Sequence, residues 1–310
     1  MHKPLDMPIG LELVDDPTSP TGPNRLRQAI WAFIGLGVLL RVATYALKFP
    51  LWADEAFVAA HFIARGYWAL LRPLDYGQIC PLFFLWLELT ATKLFGFCEW
   101  SLRLIPTLCS VASVFLFAHV SARVTRGAAR LLAVAGFCVA FFPIRHGAEV
   151  KPYATDLFAA LVLFALAIEW WRAPENNRWL WALAAVVPLA LGLSHPAVFM
   201  AGGISLGLAG MVWRARRQGA IVPFTLYNLL MVVTFGVLFA VFTSAQQRVF
   251  LATLRANYWV GAFPPLAKPV KFLLWLAEAH TGRMFAYPLG GAQGSSTFTT
   301  LCFLVALVVL

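Results

Sequence analysis

The sequence predicts an all-α, polytopic membrane protein, and three observations predict it. Of its 310 residues, 61% are hydrophobic and only 12% charged, with a mean hydropathy of +0.76, a composition from which no water-soluble surface can be built. Apolar runs near the length that crosses a bilayer core, roughly 20 residues per helix, recur along the chain. The positive charges gather in short clusters between those runs, as the positive-inside rule expects. The net charge of +10 and pI near 9.7 therefore reflect membrane orientation and argue against nucleic acid as a partner.

Taken in order, residues 1–27 are polar and rich in Pro, Asp and Glu, the pattern of a disordered cytoplasmic tail. Residues 28–310 then form one transmembrane domain. Arg25 and Arg27 precede an apolar run from Ala29 to Phe49 with no cleavage site behind it, so this is a retained first span starting in the cytoplasm. That places Asp54 and Glu55 outside. The stretch "PLFFLWLELTATKLFGF", 81–97, is short and carries Glu88 and Lys93, so it is expected to lie along or dip into the outer interface. With it outside, Arg123, Arg126, Arg130, Arg172, Arg178, Arg214, Arg216 and Arg217 all become cytoplasmic. Spans follow near 104–122, 129–144, 154–171, 179–194, 197–213 and 222–243, and an eighth begins near 296. Pro196 disfavours a continuous helix through Ser194 and His195 and predicts an outer hairpin. The GxxxG formed by Gly203 and Gly207 reads as close helix packing.

This topology sends most of the ten acidic residues beyond the tail to the outer face, with only Glu169 and Glu175 near the cytoplasm. Chemistry is therefore sought outside. Asp54 and Glu55 open "DEAFVAAHFIARGYWALL", whose apolar spacing suits an amphipathic helix on the membrane surface. Acidic residues there cap a helix, but capping needs one acid rather than two, and a carboxylate at that surface suits a general base for an acceptor hydroxyl. Arg41 interrupts the first span; it either snorkels to the interface or faces a phosphate at the outer leaflet. "RHGAEVKPYATDLF", 145–158, is the densest polar cluster between spans. Its Glu149, Lys151 and Tyr153, converging with Asp54, would supply a base and a phosphate clamp. His195 lies at the outer hairpin. In the long final loop, 244–295, Tyr258 with Trp259 fits either an interfacial belt or a sugar platform, and Arg283 lies further along it. Cys80 and Cys98 share the first outer loop and could pair there if it is oxidising, although spacing alone fixes no connectivity. No Gly-rich phosphate loop, H-E-x-x-H, G-x-S-x-G or internal repeat is present.

The ordered set of Arg41, the Asp54–Glu55 pair, "DYGQICPLFFLW", "LFGFCEWSLRLIPTL", "AEVKPYATDLFAAL" and "LSHP" resembles the membrane glycosyltransferases that use polyprenyl-phosphate sugars, above all the group including protein O-mannosyltransferases and lipid A aminoarabinose transferases. The resemblance covers roughly residues 36–200. It implies a GT-C-like bundle of about eight transmembrane helices with a membrane-lying helical first outer loop. It also implies a catalytic role for Asp54 and, less directly, Glu55, with Glu149 in a second polar cluster. The donor phosphate would meet Arg41, Arg103 and Lys151, and substrate would meet Gln78, Tyr153, His195, Tyr258 and Arg283. Related enzymes carry a His or acid before a Pro pair where this chain reads Gln78-Ile79-Cys80-Pro81, which offers no metal ligand and leaves divalent-metal dependence open. No other cofactor is implied.

The expected reaction is an inverting displacement at the anomeric carbon of a lipid-phosphate sugar, delivered to a lipid, glycan or protein acceptor on the outer face of the inner (plasma) membrane. The competing readings are a transporter, which would need charged groups deep in several spans, and an inactive truncated relative. The latter is considered because the chain stops within the apolar run "LCFLVALVVL", where related enzymes continue.

Overall fold

The computed structural model describes residues 23–215, 218–253 and 264–277, and all regular structure among them is helical. The first helix, α1 (Pro23–Ala46), starts earlier than the apolar run alone suggested and takes in Arg25 and Arg27. Pro23 fits a first helical position because its missing N–H has no partner to lose. The next segment, 47–98, contains two helices, α2 (Ala53–Ala64) and α3 (Leu82–Phe95). Neither reaches the length of a spanning helix.

The remaining helices run back and forth: α4 (Glu99–Val124), α5 (Gly127–Val139), α6 (Phe141–Arg145), α7 (Tyr153–Arg172), α8 (Arg178–Leu193), α9 (Ala197–Ala215) and α10 (Gln218–Leu238). A π-helical turn, Phe239–Thr243, joins α10 to α11 (Ser244–Thr253), and α12 (Pro269–Ala277) comes last. Residues 219–248 form one apolar helical stretch of 30 residues. The expected boundary at 243, with a loop beyond it, is thus replaced by helix.

Of the eight expected spans, four are long and apolar enough to cross a bilayer: 25–46, 99–124, 153–172 and 219–248. The fifth, expected as one helix over 129–144, is broken into α5 and α6 and bent by 48°. Pro143 explains the break, since it lacks the N–H that would bond back to Val139. The helices α8 and α9 are apolar but shorter, and the start near 296 lies outside the described residues, as does tail 1–22.

Among the described residues, three larger apolar clusters and a small one of Val120, Ala165 and Ile168 hold the bundle. One joins α7 to α10 through Leu163, Trp170, Leu183, Val187 and Tyr227. Another joins α1, α4 and α5 through Ile34, Val114 and Cys138. The third lies under the 47–98 segment, where Val58, Leu70, Cys80, Phe84 and Leu89 pack with Leu102, Val150 and Phe242. A Cβ at Gly192 would fall 2.2 Å from the Phe83 ring, so only glycine lets α3 seat this closely on α8. These contacts bring the 47–98 segment, the α6–α7 connection and the α8–α9 turn to one end of the bundle. At the other end Glu169 pairs with His119 and Arg123 at 2.8 and 2.7 Å, and the Trp170 indole donates to Asn177.

Candidate active site

The two acids of the first loop have separate occupations. Both sit in the first turn of α2, but successive helical residues point about 100° apart. Glu55 turns inward and is 1% exposed. Its Oε2 accepts the Trp52 backbone N–H at 3.2 Å, its Oε1 accepts that of Val150 at 2.9 Å, and Arg103 grips it at 3.0–3.1 Å. Arg103 also donates to the carbonyls of Phe49 and Pro50. Glu55 and Arg103, expected as a catalytic carboxylate and a phosphate ligand, therefore form a buried ion pair that ties α2, α4 and the α6–α7 connection together. Breaking such a pair from one side costs about 3–5 kcal/mol, since it strands a buried charge.

Asp54 turns toward solvent, with about a third of its side chain exposed. Its Oδ2 lies 2.7 Å from Lys151 Nζ and its Oδ1 accepts the Gln78 amide at 2.9 Å. Lys151 in turn donates to Gln78 Oε1 at 2.6 Å. The three side chains close a ring in which only Asp54 faces outward; Gln78 and Lys151 are buried. Burial pushes the Asp54 carboxyl up, but the Lys151 and Gln78 hydrogen bonds and the Lys151 charge outweigh it and hold it below the usual carboxylate range. It is ionised at neutral pH.

Beside this ring lies the second cluster. Glu149 accepts from Arg145 Nε at 3.0 Å and from His146 Nδ1 at 2.6 Å. Burial raises the Glu149 carboxyl while His146 and Arg145 lower it, leaving it net below its ordinary value. His146 stacks on Phe142 and contacts the half-exposed Tyr153 ring at 4.6 Å. Arg145, its side chain 53% exposed, and His146 were visible in the same polar stretch as Glu149, yet nothing in their spacing ranked them above their neighbours.

Arg41 is elsewhere. It is 1% exposed inside the α1–α4–α5 packing, where Nε donates to Ser110 Oγ at 3.0 Å and Nη1 to the carbonyls of Gly37 and Cys138 at 2.9 and 3.1 Å. The carbonyls of Phe137 and Cys138 end α5 at the break, and Arg41 satisfies them where water cannot. The expected contact with a surface phosphate is replaced by this cap. His195 lies in the α8–α9 turn at the same end as Asp54, and burial lowers its pKa to about 4, so it is neutral. Next to it Ser194 caps α9 by accepting the Ala197 N–H. Tyr258, Trp259 and Arg283 lie outside the described residues.

Cys80 and Cys98 are free thiols, and Cys80 is buried. Among the described residues no group of three or more His, Cys, Asp or Glu side chains could hold a metal ion. Chemically, the arrangement offers one ionised, partly exposed carboxylate, an ammonium behind it, and an adjacent cationic and aromatic edge. Compared with family models, curated proteins and solved structures, the chain matches none, so its site is read from its own geometry.

Proposed function

We propose that this chain is a GT-C-like membrane glycosyltransferase that moves a sugar from a polyprenyl-phosphate donor to a lipid, glycan or protein hydroxyl, at the outer face of the inner (plasma) membrane. The observation that carries the reading is the Asp54–Lys151–Gln78 ring. An ionised carboxylate and an ammonium, far apart in sequence, sit side by side at one end of an apolar bundle. A base and a phosphate partner are the two groups this transfer needs.

In the reaction Asp54 accepts the proton of the acceptor hydroxyl as its oxygen attacks the anomeric carbon from the face opposite the phosphate. The bond from that carbon to the phosphate oxygen breaks, its electrons leave with the polyprenyl phosphate, and the anomeric configuration inverts. Lys151 stabilises the departing dianion, joined by the half-exposed Arg145. The phosphate also competes with Asp54 for Lys151. Donor binding thus loosens the contact that depresses the Asp54 pKa, and makes the carboxylate a better base when the donor is in place. Tyr153 and His146 offer an aromatic edge to a sugar ring.

The test is transfer from a radiolabelled undecaprenyl-phosphate sugar by the purified protein in bilayers. Asp54→Asn is isosteric and is expected to lower the rate about 100-fold or more, the usual contribution of a positioned base. Equal rates in both proteins would sink the assignment.

A further inference from the structure

We propose that Gln246 recognises the transferred sugar, its side-chain amide bridging two neighbouring hydroxyls of the donor's glycosyl group; this rests on the glycosyltransferase reading. Gln246 is 1% exposed, and among the described residues neither its Oε1 nor its Nε2 has a hydrogen-bond partner. A buried amide without partners is unfavourable, and a leucine or methionine of similar size would occupy the position without that penalty.

Its place in the fold is defined by the helix that carries it. The helix α10 starts beside Asn177, at the end of the bundle away from Asp54, with Gly219 against the Asn177 side chain. It meets the first turns of α9, where Tyr227 donates to the Ala201 carbonyl, and reaches Phe242, which packs with Cys80 and Val150. Val150 adjoins Lys151, and Cys80 is two residues from Gln78. Gln246 lies one turn beyond Phe242, at the same end as the Asp54 ring. The π-helical turn Phe239–Thr243 immediately before it adds one residue to the helical repeat. Each added residue rotates the rest of the helix by about 100°, so this turn sets the direction in which Gln246 points.

The chemistry matches a sugar better than a phosphate. A carboxamide is neutral and presents a donor and an acceptor side by side, the complement of two adjacent hydroxyls that each donate and accept. The charged part of the donor has Lys151. The stretch that carries Gln246, 219–248, has 6% of its apolar window buried against 22–50% for the other three spans, and Tyr227 and Phe242 anchor it in the core.

The experiment measures binding to the full chain in nanodiscs of two probes, undecaprenyl phosphate and undecaprenyl phosphate bearing a hexose, by quenching of tryptophan fluorescence. Wild type should bind the glycosylated lipid more tightly. Gln246→Leu should lose about tenfold in affinity for it, the worth of hydrogen bonds to a neutral amide, and bind the bare lipid phosphate unchanged. Equal affinity of Gln246→Leu and wild type for the glycosylated lipid would overturn the inference. So would equal weakening toward both lipids, which marks a packing role, or a wild type that does not distinguish them. A wild type that binds neither lipid overturns the polyprenyl-phosphate reading itself, and the sugar contact with it.

Discussion

Glu88 shows how much a single buried group can reveal. It is fully enclosed on α3, and neither oxygen has a hydrogen-bond partner among the described residues. Burial pushes its pKa well above the ordinary glutamate value. The folded chain therefore holds a proton there at pH values where the unfolded chain has released it. From the ordinary glutamate range upward the native state binds more protons than the unfolded one, so stability falls as pH rises. Glu88→Gln keeps the shape and removes the titration. Thermal unfolding in detergent between about pH 5 and 8 should show wild type losing ground to this variant steadily as pH increases; parallel curves would mean that Glu88 is solvated or paired. Sequence alone marked Glu88 as a charge that made α3 a poor span. It could not show that the side chain faces inward, because that depends on how α3 seats on α4 and α8. The same limit separated Asp54 from Glu55: the pair was legible, but which member faces solvent depends on the helical rotation of α2 and on Arg103 arriving from α4.

At the level of elements, the break between α5 and α6 organises the site. It turns the chain so that residues 145–151 run across the end of the bundle, where Val150 and Lys151 meet Glu55 and Asp54, and it leaves unpaired carbonyls within an apolar layer. Arg41 meets those carbonyls, and Ser110 links it to α4 while donating to the Pro143 carbonyl at 3.1 Å. The fit is close, since a Cβ on Gly147 would lie 2.4 Å from Ser110 Oγ. Arg41→Met removes these hydrogen bonds and strands their acceptors, a loss of about 3 kcal/mol. The expected result is a clear drop in unfolding temperature, with undecaprenyl phosphate still bound by the folded fraction at wild-type affinity. Unchanged stability with lost lipid binding would return Arg41 to the phosphate. Arg41 and Pro143 were both visible in the sequence. Their partnership was not, because it joins groups nearly a hundred residues apart whose meeting is fixed by the packing of α1 on α5.

For the whole molecule, charge is sorted by end. The Asp54 ring, the Glu149 cluster and His195 share one end, while Arg123, Glu169, Arg172 and Asn177 share the other, where Arg172 donates to the Arg123 carbonyl. Hydropathy and arginine spacing made that two-ended plan legible, since both act through composition rather than through particular contacts. They left the helix ends and the continuation of α10 through the π turn unread, because an apolar run in lipid has little in its pattern to mark where it bends. Under the proposed function the positive-inside rule gives the plan a direction, with the arginine-rich end expected in the cytoplasm and the Asp54 end outside. Trp68, 80% exposed in the first loop, and Glu175, exposed between α7 and α8, report the two ends. In a cysteine-free background, a membrane-impermeant maleimide applied to intact cells should label Trp68→Cys and leave Glu175→Cys unmodified until the cells are permeabilised. The reverse pattern would place Asp54 in the cytoplasm, on the wrong side for a donor and acceptor that meet outside. Labelling of both in intact cells would mean that the two ends do not lie on opposite faces, and the charge sorting would then have a cause other than the membrane.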